Sequence, residues 1–290
     1  MNVTNPEGAI PDADFAKPGE VGRWRILDDR DFTTAEAGVV RDVDLGRAVA
    51  NGAAPTFRLW ENYPALVVSR HDMRLPHIAS VVEQLGNAGW PVLARETGGS
   101  AVAMGPGMLN LSLVLPRSLV TGASGYAMDT VYHLLCEPIQ QALLTLGIPT
   151  QFASVPGAFC DGRFNLVAGG KKIAGTAQAS RANIATIGNN KEGYVLAHAC
   201  LLVDIDTRRL TDIVNRFYEI AGSDARFNDN DVTSVRHCLA GTGDCWNRTG
   251  AGSLTEHVRA LVLSSIRNAE AIILNKKVEN LGNTSLPEIN

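Results

Sequence analysis

The middle of the chain consists of short apolar runs separated by paired glycines, and this pattern restricts the fold more than any other feature. Val92-Leu93-Ala94 leads into Thr97-Gly98-Gly99, and Ala101-Val102-Ala103 leads into Gly105-Pro106-Gly107 ahead of an apolar run over 109–114. Further on, 164–168, Gly169-Gly170 and 172–178 read as a hairpin, and 193–203 as another strand. Such runs are too short for packed helices and are bounded by turn formers, so they predict strands. Two more strands are expected at 56–60 and 65–68, on either side of Asn62-Tyr63-Pro64. Helical spacing predicts a first helix after Asp31, with Thr33 and Thr34 as cap candidates and Asn51-Gly52 as its stop. It also predicts a short helix over 76–88 and a long one over 126–145 that carries Val131, Leu135, Ile139 and Ala142 on one face. Amphipathic helices follow at 210–221 and 254–277. Strands and helices do not alternate regularly. The expectation is therefore an α+β fold with a mixed, largely antiparallel sheet flanked by helices, not a doubly wound parallel sheet.

The chain has 290 residues, enough for one large domain or two modest ones. Residues 1–30 read as an N-terminal extension because 1–20 hold three prolines and few large apolar groups. Residues 31–240 are expected to form the main domain. The glycine-rich 241–252 reads as a joint to a C-terminal helical segment over 241–290. Hydrophobic residues make up 45% of the chain, enough to bury a core, which argues against disorder. With 26 basic and 30 acidic residues, the balance lacks the basic footprint of a nucleic-acid binder. The most apolar stretch, 260–274, is broken by Ser264, Arg267 and Glu270, so no membrane span is expected. The first 20 residues contain acids and no apolar core, unlike a signal peptide. Five cysteines in a chain of this length do not form a disulfide framework, and the expected location is the cytoplasm.

Two stretches could carry chemistry. In the first, Arg95 precedes Gly98-Gly99-Ser100-Ala101-Val102. Either these are tight turns in a sheet, or their backbone N–H groups approach an anion or carbonyl with Arg95 as a forked donor. In the second, Cys160 lies between Gly157 and Gly162, followed by Arg163, Asn165 and the pair Lys171-Lys172. A cysteine in a glycine-bracketed loop near cations suits a reactive thiol, whereas most lone cysteines are packed as small hydrophobes. Strand alternation places Lys172 and Ala174 on one face and Lys171, Ile173 and Gly175 on the other. Cys136, Cys200, His133 and His198 read as packing residues. His71 with His77, and Cys238 with Cys245 and His237, lack structural zinc spacing, so no metal site is expected.

Together these residues resemble the lipoate–protein ligase and octanoyl/lipoyl transferase family, whose catalytic domain is shared with biotin–protein ligase. The resemblance rests on Arg95, Gly98-Gly99, Ala101-Val102, Gly107 and Leu109-Asn110, then Lys172 with Gly175-Thr176-Ala177, and covers roughly 57–217. Ligases of the family carry a second arginine, a third glycine and a histidine where this chain has Ala94, Ser100 and Met104. The cysteine-dependent amidotransferase branch is more similar. Its loop and strand are echoed by Phe159-Cys160-Asp161-Gly162 and by 171–178, and its early motif by Asp72-Met73-Arg74-Leu75-Pro76. The resemblance implies an acyltransferase in which Cys160 is the nucleophile and Lys172 faces the substrate carbonyl. It further implies substrate contacts from Arg95, Gly98, Gly99, Ser100, Ala101, Val102, Asn110, Gly175, Thr176 and Ala177. Val102 and Leu109 are expected to sheathe the acyl chain, and Arg70, Arg163 and Arg181 to form a basic rim for a carrier. Implied partners are lipoyl domains of 2-oxoacid dehydrogenases, glycine-cleavage H protein and acyl carrier protein, with no cofactor required. An ATP-dependent ligase is the alternative: ATP and Mg2+ would be needed, Lys172 and the 95–102 loop would hold a lipoyl-adenylate, and Cys160 would be incidental. A non-catalytic acyl or lipoyl-domain binder is a third reading. The lack of a G-R-G-R-x-G pattern weakens a fourth, a biotin ligase.

Overall fold

Two strands of nine residues each form the spine of the molecule, β6 (Met108–Pro116) and β12 (Tyr194–Leu202), paired antiparallel from Met108↔Leu202 to Pro116↔Tyr194. The computed structural model describes residues 24–122, 125–182, 193–240 and 253–282. Around the spine lies a seven-stranded sheet in the order β1-β2-β6-β12-β11-β10-β9. Its other strands are β1 (Arg25–Asp29), β2 (Thr56–Trp60), β9 (Gln151–Phe152), β10 (Leu166–Ala168) and β11 (Lys171–Arg181). Within this sheet, among the described residues, only the β1–β2 pair is parallel. A second sheet, ordered β4-β3-β5, is formed by β3 (Ala65–Ser69), β4 (Val92–Arg95) and β5 (Val102–Met104). The pair β7 (Thr121–Gly122) and β8 (Gly125–Tyr126) makes a small ribbon. The helices are α1 (Ala35–Ala50), α2 (Ile78–Asn87), α3 (Met128–Thr145), α4 (Thr207–Ile220), α5 (Val235–Ala240) and α6 (Leu254–Gly282). The mixed, largely antiparallel sheet flanked by helices is as the sequence predicts.

Both faces of the spine are covered, which is why β12 is buried at all nine positions. Leu109, Leu111, Leu113 and Leu115 face one layer, where they pack with Leu135 and Ile139 of α3 and Val258 and Val262 of α6. The intervening residues of β6 face the second sheet, α1, α2 and α4. Leu109 therefore packs under the helices, and Met108 takes the position beside Val102 that the sequence reading gave to Leu109. Several local signals act as expected. Thr34 caps α1 by accepting from the Ala37 N–H at 3.1 Å, and Asn51 ends the helix. The strands at 56–60 and 65–69 form but join different sheets, because the chain crosses between the layers at 61–64. Arg25–Asp29, at the end of the expected extension, pairs along β2, and Leu254, Val258, Val262 and Ile266 of α6 enter the α3 layer of the main core. The 241–252 joint lies outside the described residues.

A buried ion network fixes α1 to the sheet. The Arg58 guanidinium donates to Asp29 at 2.6 Å and to Asp42 at 2.7 Å, and Asp42 also accepts from Ser112 Oγ at 2.7 Å. This holds α1 as one wall of a cavity of about 240 Å³, lined by Val39, Val43, Trp60, Val67, Met104 and Leu196. Arg95 and His198 also line it.

Candidate active site

Cys160 is the only non-glycine residue with positive φ among the described residues, at +50°. A left-handed conformation costs an L-residue roughly 1–2 kcal/mol, so neighbouring groups must hold it. Three side chains do so. The Cys160 N–H donates to Ser100 Oγ at 2.6 Å, and the Cys160 carbonyl accepts from Asn165 Nδ2 at 3.0 Å and from Lys172 Nζ at 3.1 Å. Asn165 is itself fixed, since its Oδ1 accepts the Thr176 N–H at 3.0 Å. Lys172 Nζ also donates to the Phe159 carbonyl and lies 4.8 Å from the centre of the Phe159 ring. The loop 156–162, the loop 96–101 and the start of β11 thus converge on one thiol.

The electrostatics of the thiol follow from that convergence. Burial pushes the Cys160 thiol up. The charges of Arg95 and Lys172 and the hydrogen bonds from Arg95 Nη2, 3.6 Å from Sγ, and from the backbone outweigh it and hold the thiol below its ordinary value. Burial lowers the Lys172 ammonium in turn, although Cys160 and Asp161 act the other way. Cys200 lines the same pocket from β12, but burial pushes its thiol up to about 12. His198 is pushed down to about 3 by burial and by Arg95. Of the two packing histidines named from the sequence, this one lies at the site. Its signal was a single imidazole inside the otherwise apolar 194–202, which cannot be buried on a two-sided strand without a partner.

Glycine is required at two places. A Cβ on Gly99, whose φ is +99°, would lie 2.6 Å from Cys160 Sγ and 2.8 Å from Arg95 Nη2. A Cβ on Gly175 would lie 2.8 Å from Lys172 Nζ. Gly175 therefore shares the Lys172 side of β11, contrary to strict alternation. The cause is a bulge: Leu166 pairs with Ala174 and Val167 with Lys172, so one step on β10 spans two on β11 and the face count is reset at Ile173. Gly99→Ala is expected to lower acyl-transfer activity by about 100-fold or more, because an ångström-scale displacement of thiol or guanidinium is enough for that. The cost in stability should be roughly 1–2 kcal/mol. Transfer rates and thermal unfolding of the purified variant measure both, and near-normal activity would mean that the Gly99–Cys160 approach has no functional weight.

The structure brings together most of the residues singled out from the sequence. Arg95, Val102, Cys160, Lys172, Gly175 and Thr176 surround one small pocket, with Met108 and Leu202 as apolar walls. Ala101 is held beside it by donating its N–H to Tyr218 Oη at 2.9 Å. Gly98, Gly99 and Ser100 also border an open cleft of about 460 Å³ that includes Arg70, Asp72 and Tyr218. Asn110 lies deeper, between Trp60 and Cys200 in the sheet, with no hydrogen-bond partner on either amide atom among the described residues. Ala177 is paired with His198 across β11 and β12 and does not line the pocket. The three arginines expected as a basic rim are paired: Arg70 and Arg181 with Glu96, and Arg163 with Asp129. Asn165, His198 and Tyr218 are the site residues that sequence reasoning gave no role. Among the described residues, no helix is long and apolar enough to cross a membrane, and no three His, Cys, Asp or Glu side chains cluster as a metal site.

Comparison with known proteins gives the family. A profile of the lipoyl protein ligase A/B catalytic domain matches residues 42–245. The octanoyl-[GcvH]:protein N-octanoyltransferase of Kyrpidia tusciae is 42% identical over 75% of this chain and 74% of its own. The lipoyl-[GcvH]:protein N-lipoyltransferase of Listeria monocytogenes is 27% identical over 70% of this chain and 69% of its own. In fold, the chain is similar to a T. acidophilum protein solved with bound lipoic acid, with a TM-score of 0.58, 18% identity and 84% of each chain covered. The match of the profile over 42–245, more than half of the chain, together with the Kyrpidia relative, shows that this chain belongs to the lipoyl protein ligase A/B catalytic-domain family.

Proposed function

We propose that the protein is an acyltransferase of lipoate metabolism that moves an octanoyl or lipoyl group to a lysine of a lipoyl domain through a thioester on Cys160. The observation that carries this reading is Cys160 itself, held in the left-handed region with its thiol against Arg95 and its carbonyl against Lys172. The names of the Kyrpidia and Listeria relatives support it, and they make acylated glycine-cleavage H protein the expected donor. The Cys160 thiolate attacks the carbonyl carbon of the donor's N-acyl lysine, forming a C–S bond and moving the carbonyl π pair onto oxygen. Collapse breaks the C–N bond, and Lys172 Nζ gives a proton to the departing amine. The acceptor amine then attacks the thioester, its proton returns to Lys172, and sulfur leaves as a thiolate beside Arg95. The acyl chain occupies the cavity of about 240 Å³ that Arg95 and His198 also line, a little below the roughly 300–1,000 Å³ typical of ligand pockets. This scheme uses no cofactor; ATP and Mg2+ belong to the ligase alternative.

Intact mass after mixing with octanoylated H protein, without ATP, tests the reading. The expected result is a gain of one octanoyl group that hydroxylamine removes. Octanoyl acyl carrier protein serves as the second donor. If neither donor loads the enzyme, while free lipoate with Mg-ATP modifies a lipoyl domain, the protein is a ligase and the thioester scheme is wrong.

A further inference from the structure

An arginine has only N–H donors, so the 3.1 Å approach of Arg95 Nη1 to His198 Nε2 is a hydrogen bond only when that nitrogen is an acceptor with no proton. Thr97 Oγ1 lies 3.0 Å from the same atom. The Arg95 contact thus points to a neutral ring with its proton on Nδ1 and its other nitrogen engaged. His198 cannot take a proton from Cys160, although both line one pocket. Its partner is the guanidinium. The other end of Arg95, Nη2, donates to the Ser100 carbonyl at 3.0 Å and reaches Cys160 Sγ at 3.6 Å, while Nε has no partner. Arg95 is only 5% exposed, so each of its terminal nitrogens depends on a protein acceptor. His198 is the acceptor for Nη1.

We propose that His198 is a positioning residue whose unprotonated Nε2 fixes the Arg95 guanidinium so that Nη2 faces the Cys160 sulfur. The inference rests on Cys160 being the working nucleophile. It explains why an imidazole on β12 is kept beside a reactive thiol that it does not deprotonate. The polarity of the site would then differ from a cysteine–histidine pair: a fixed cation stabilises the thiolate, and the histidine supports the cation. The other groups that face the thiol are Lys172 from β11, Cys200 from β12 and Tyr132 from α3. Without an acceptor at His198, a buried charged donor is left unpaired. The guanidinium then turns toward another acceptor and away from sulfur.

The test reads the titration of Cys160 without any acyl donor. Thiolate ultraviolet absorbance is followed against pH, with the Cys160→Ser spectrum subtracted. In His198→Leu, which keeps bulk and removes the acceptor, the Cys160 midpoint should rise by about one pH unit, roughly a tenfold loss of thiolate below the midpoint. In His198→Gln, whose side-chain carbonyl can accept, the midpoint should stay within a few tenths of a unit of the wild type. Nitrogen chemical shifts of the unaltered protein give a second readout that does not depend on a variant folding, and the expected form at neutral pH is the Nδ1–H tautomer. A wild-type midpoint in His198→Leu, or a proton on Nε2, would overturn the proposal. Because neither measurement involves transfer, a shifted midpoint together with a failed acyl-loading experiment would retain the positioning role and reject the transferase reading.

Discussion

Cys160→Ser is expected to remove the acyl-enzyme completely and to lower transfer on the order of a thousandfold or more. The site is built around a group that ionises readily. Burial pushes the Cys160 thiol up, but Arg95 and Lys172 outweigh it and hold the thiol below its ordinary value. A serine hydroxyl starts several units higher, and the same two cations do not lower it far enough. His198 does not activate a hydroxyl instead, because its Nε2 is engaged by Arg95. The fold should be almost indifferent to the change. The hydrogen bonds that hold residue 160 in its left-handed conformation are made by its N–H and C=O, and both remain. Intact mass with an octanoyl donor, alongside thermal unfolding, separates chemistry from stability. A Cys160→Ser protein that still acquired a hydroxylamine-labile octanoyl group would place the nucleophile elsewhere. Cys200, whose thiol is pushed up to about 12, would be a poor candidate for it.

Much of this architecture is legible in the chain because its signals are local. Thr34, Asn51 and Gly89 mark helix ends through their own backbone chemistry, and Gly169-Gly170 turns the β10–β11 hairpin through two positive φ values. The relation of Cys160 to Lys172 was legible too, because a glycine-bracketed loop runs directly into a hairpin and keeps them twelve residues apart in sequence. The errors arise where a property depends on register or on a distant partner. The bulge at Ile173 moves Gly175 to the Lys172 face, and no composition rule signals a bulge inside a strand rich in small residues. The exchange of Leu109 for Met108 comes from the same period-two sensitivity, since a shift of one residue changes the face. The pairing within the expected basic rim is hidden for a different reason: Glu96 lies far from Arg70 and Arg181 in sequence and accepts both in the fold. His198 acquires its role only when β12 is laid beside the 95–97 segment, a contact across 103 residues.

Lys172→Met separates the two functions of a buried ammonium, and its expected result is a folded, nearly inactive protein. Lys172 is 1% exposed. Taking an ammonium out of water costs several kcal/mol, and the Phe159 and Cys160 carbonyls return about 1.5–3 kcal/mol each as charge-assisted hydrogen bonds. The terms nearly cancel, and methionine fills similar space with no charge to bury. The Cys160 carbonyl keeps its bond from Asn165, which limits loosening of the loop. Stability should therefore change by about 1 kcal/mol in either direction, or roughly 2–4 °C in Tm. Transfer should fall about 10²–10⁴-fold, the usual contribution of a general acid–base group. The pH profile identifies the cause. In the wild type, activity rises as Cys160 ionises below its ordinary value of 9.0 and falls as Lys172 loses its proton below 10.5. The two limbs belong to the coupled pair rather than to either residue alone. Lys172→Met should lose the alkaline limb and move the acid limb to higher pH, because one of the two cations beside the thiolate is gone. A variant with an unchanged bell would show that Lys172 neither donates a proton nor sets the thiol. One that unfolds at room temperature would show that its ammonium is a structural tie for the Cys160 loop, which the near-cancellation above rules against.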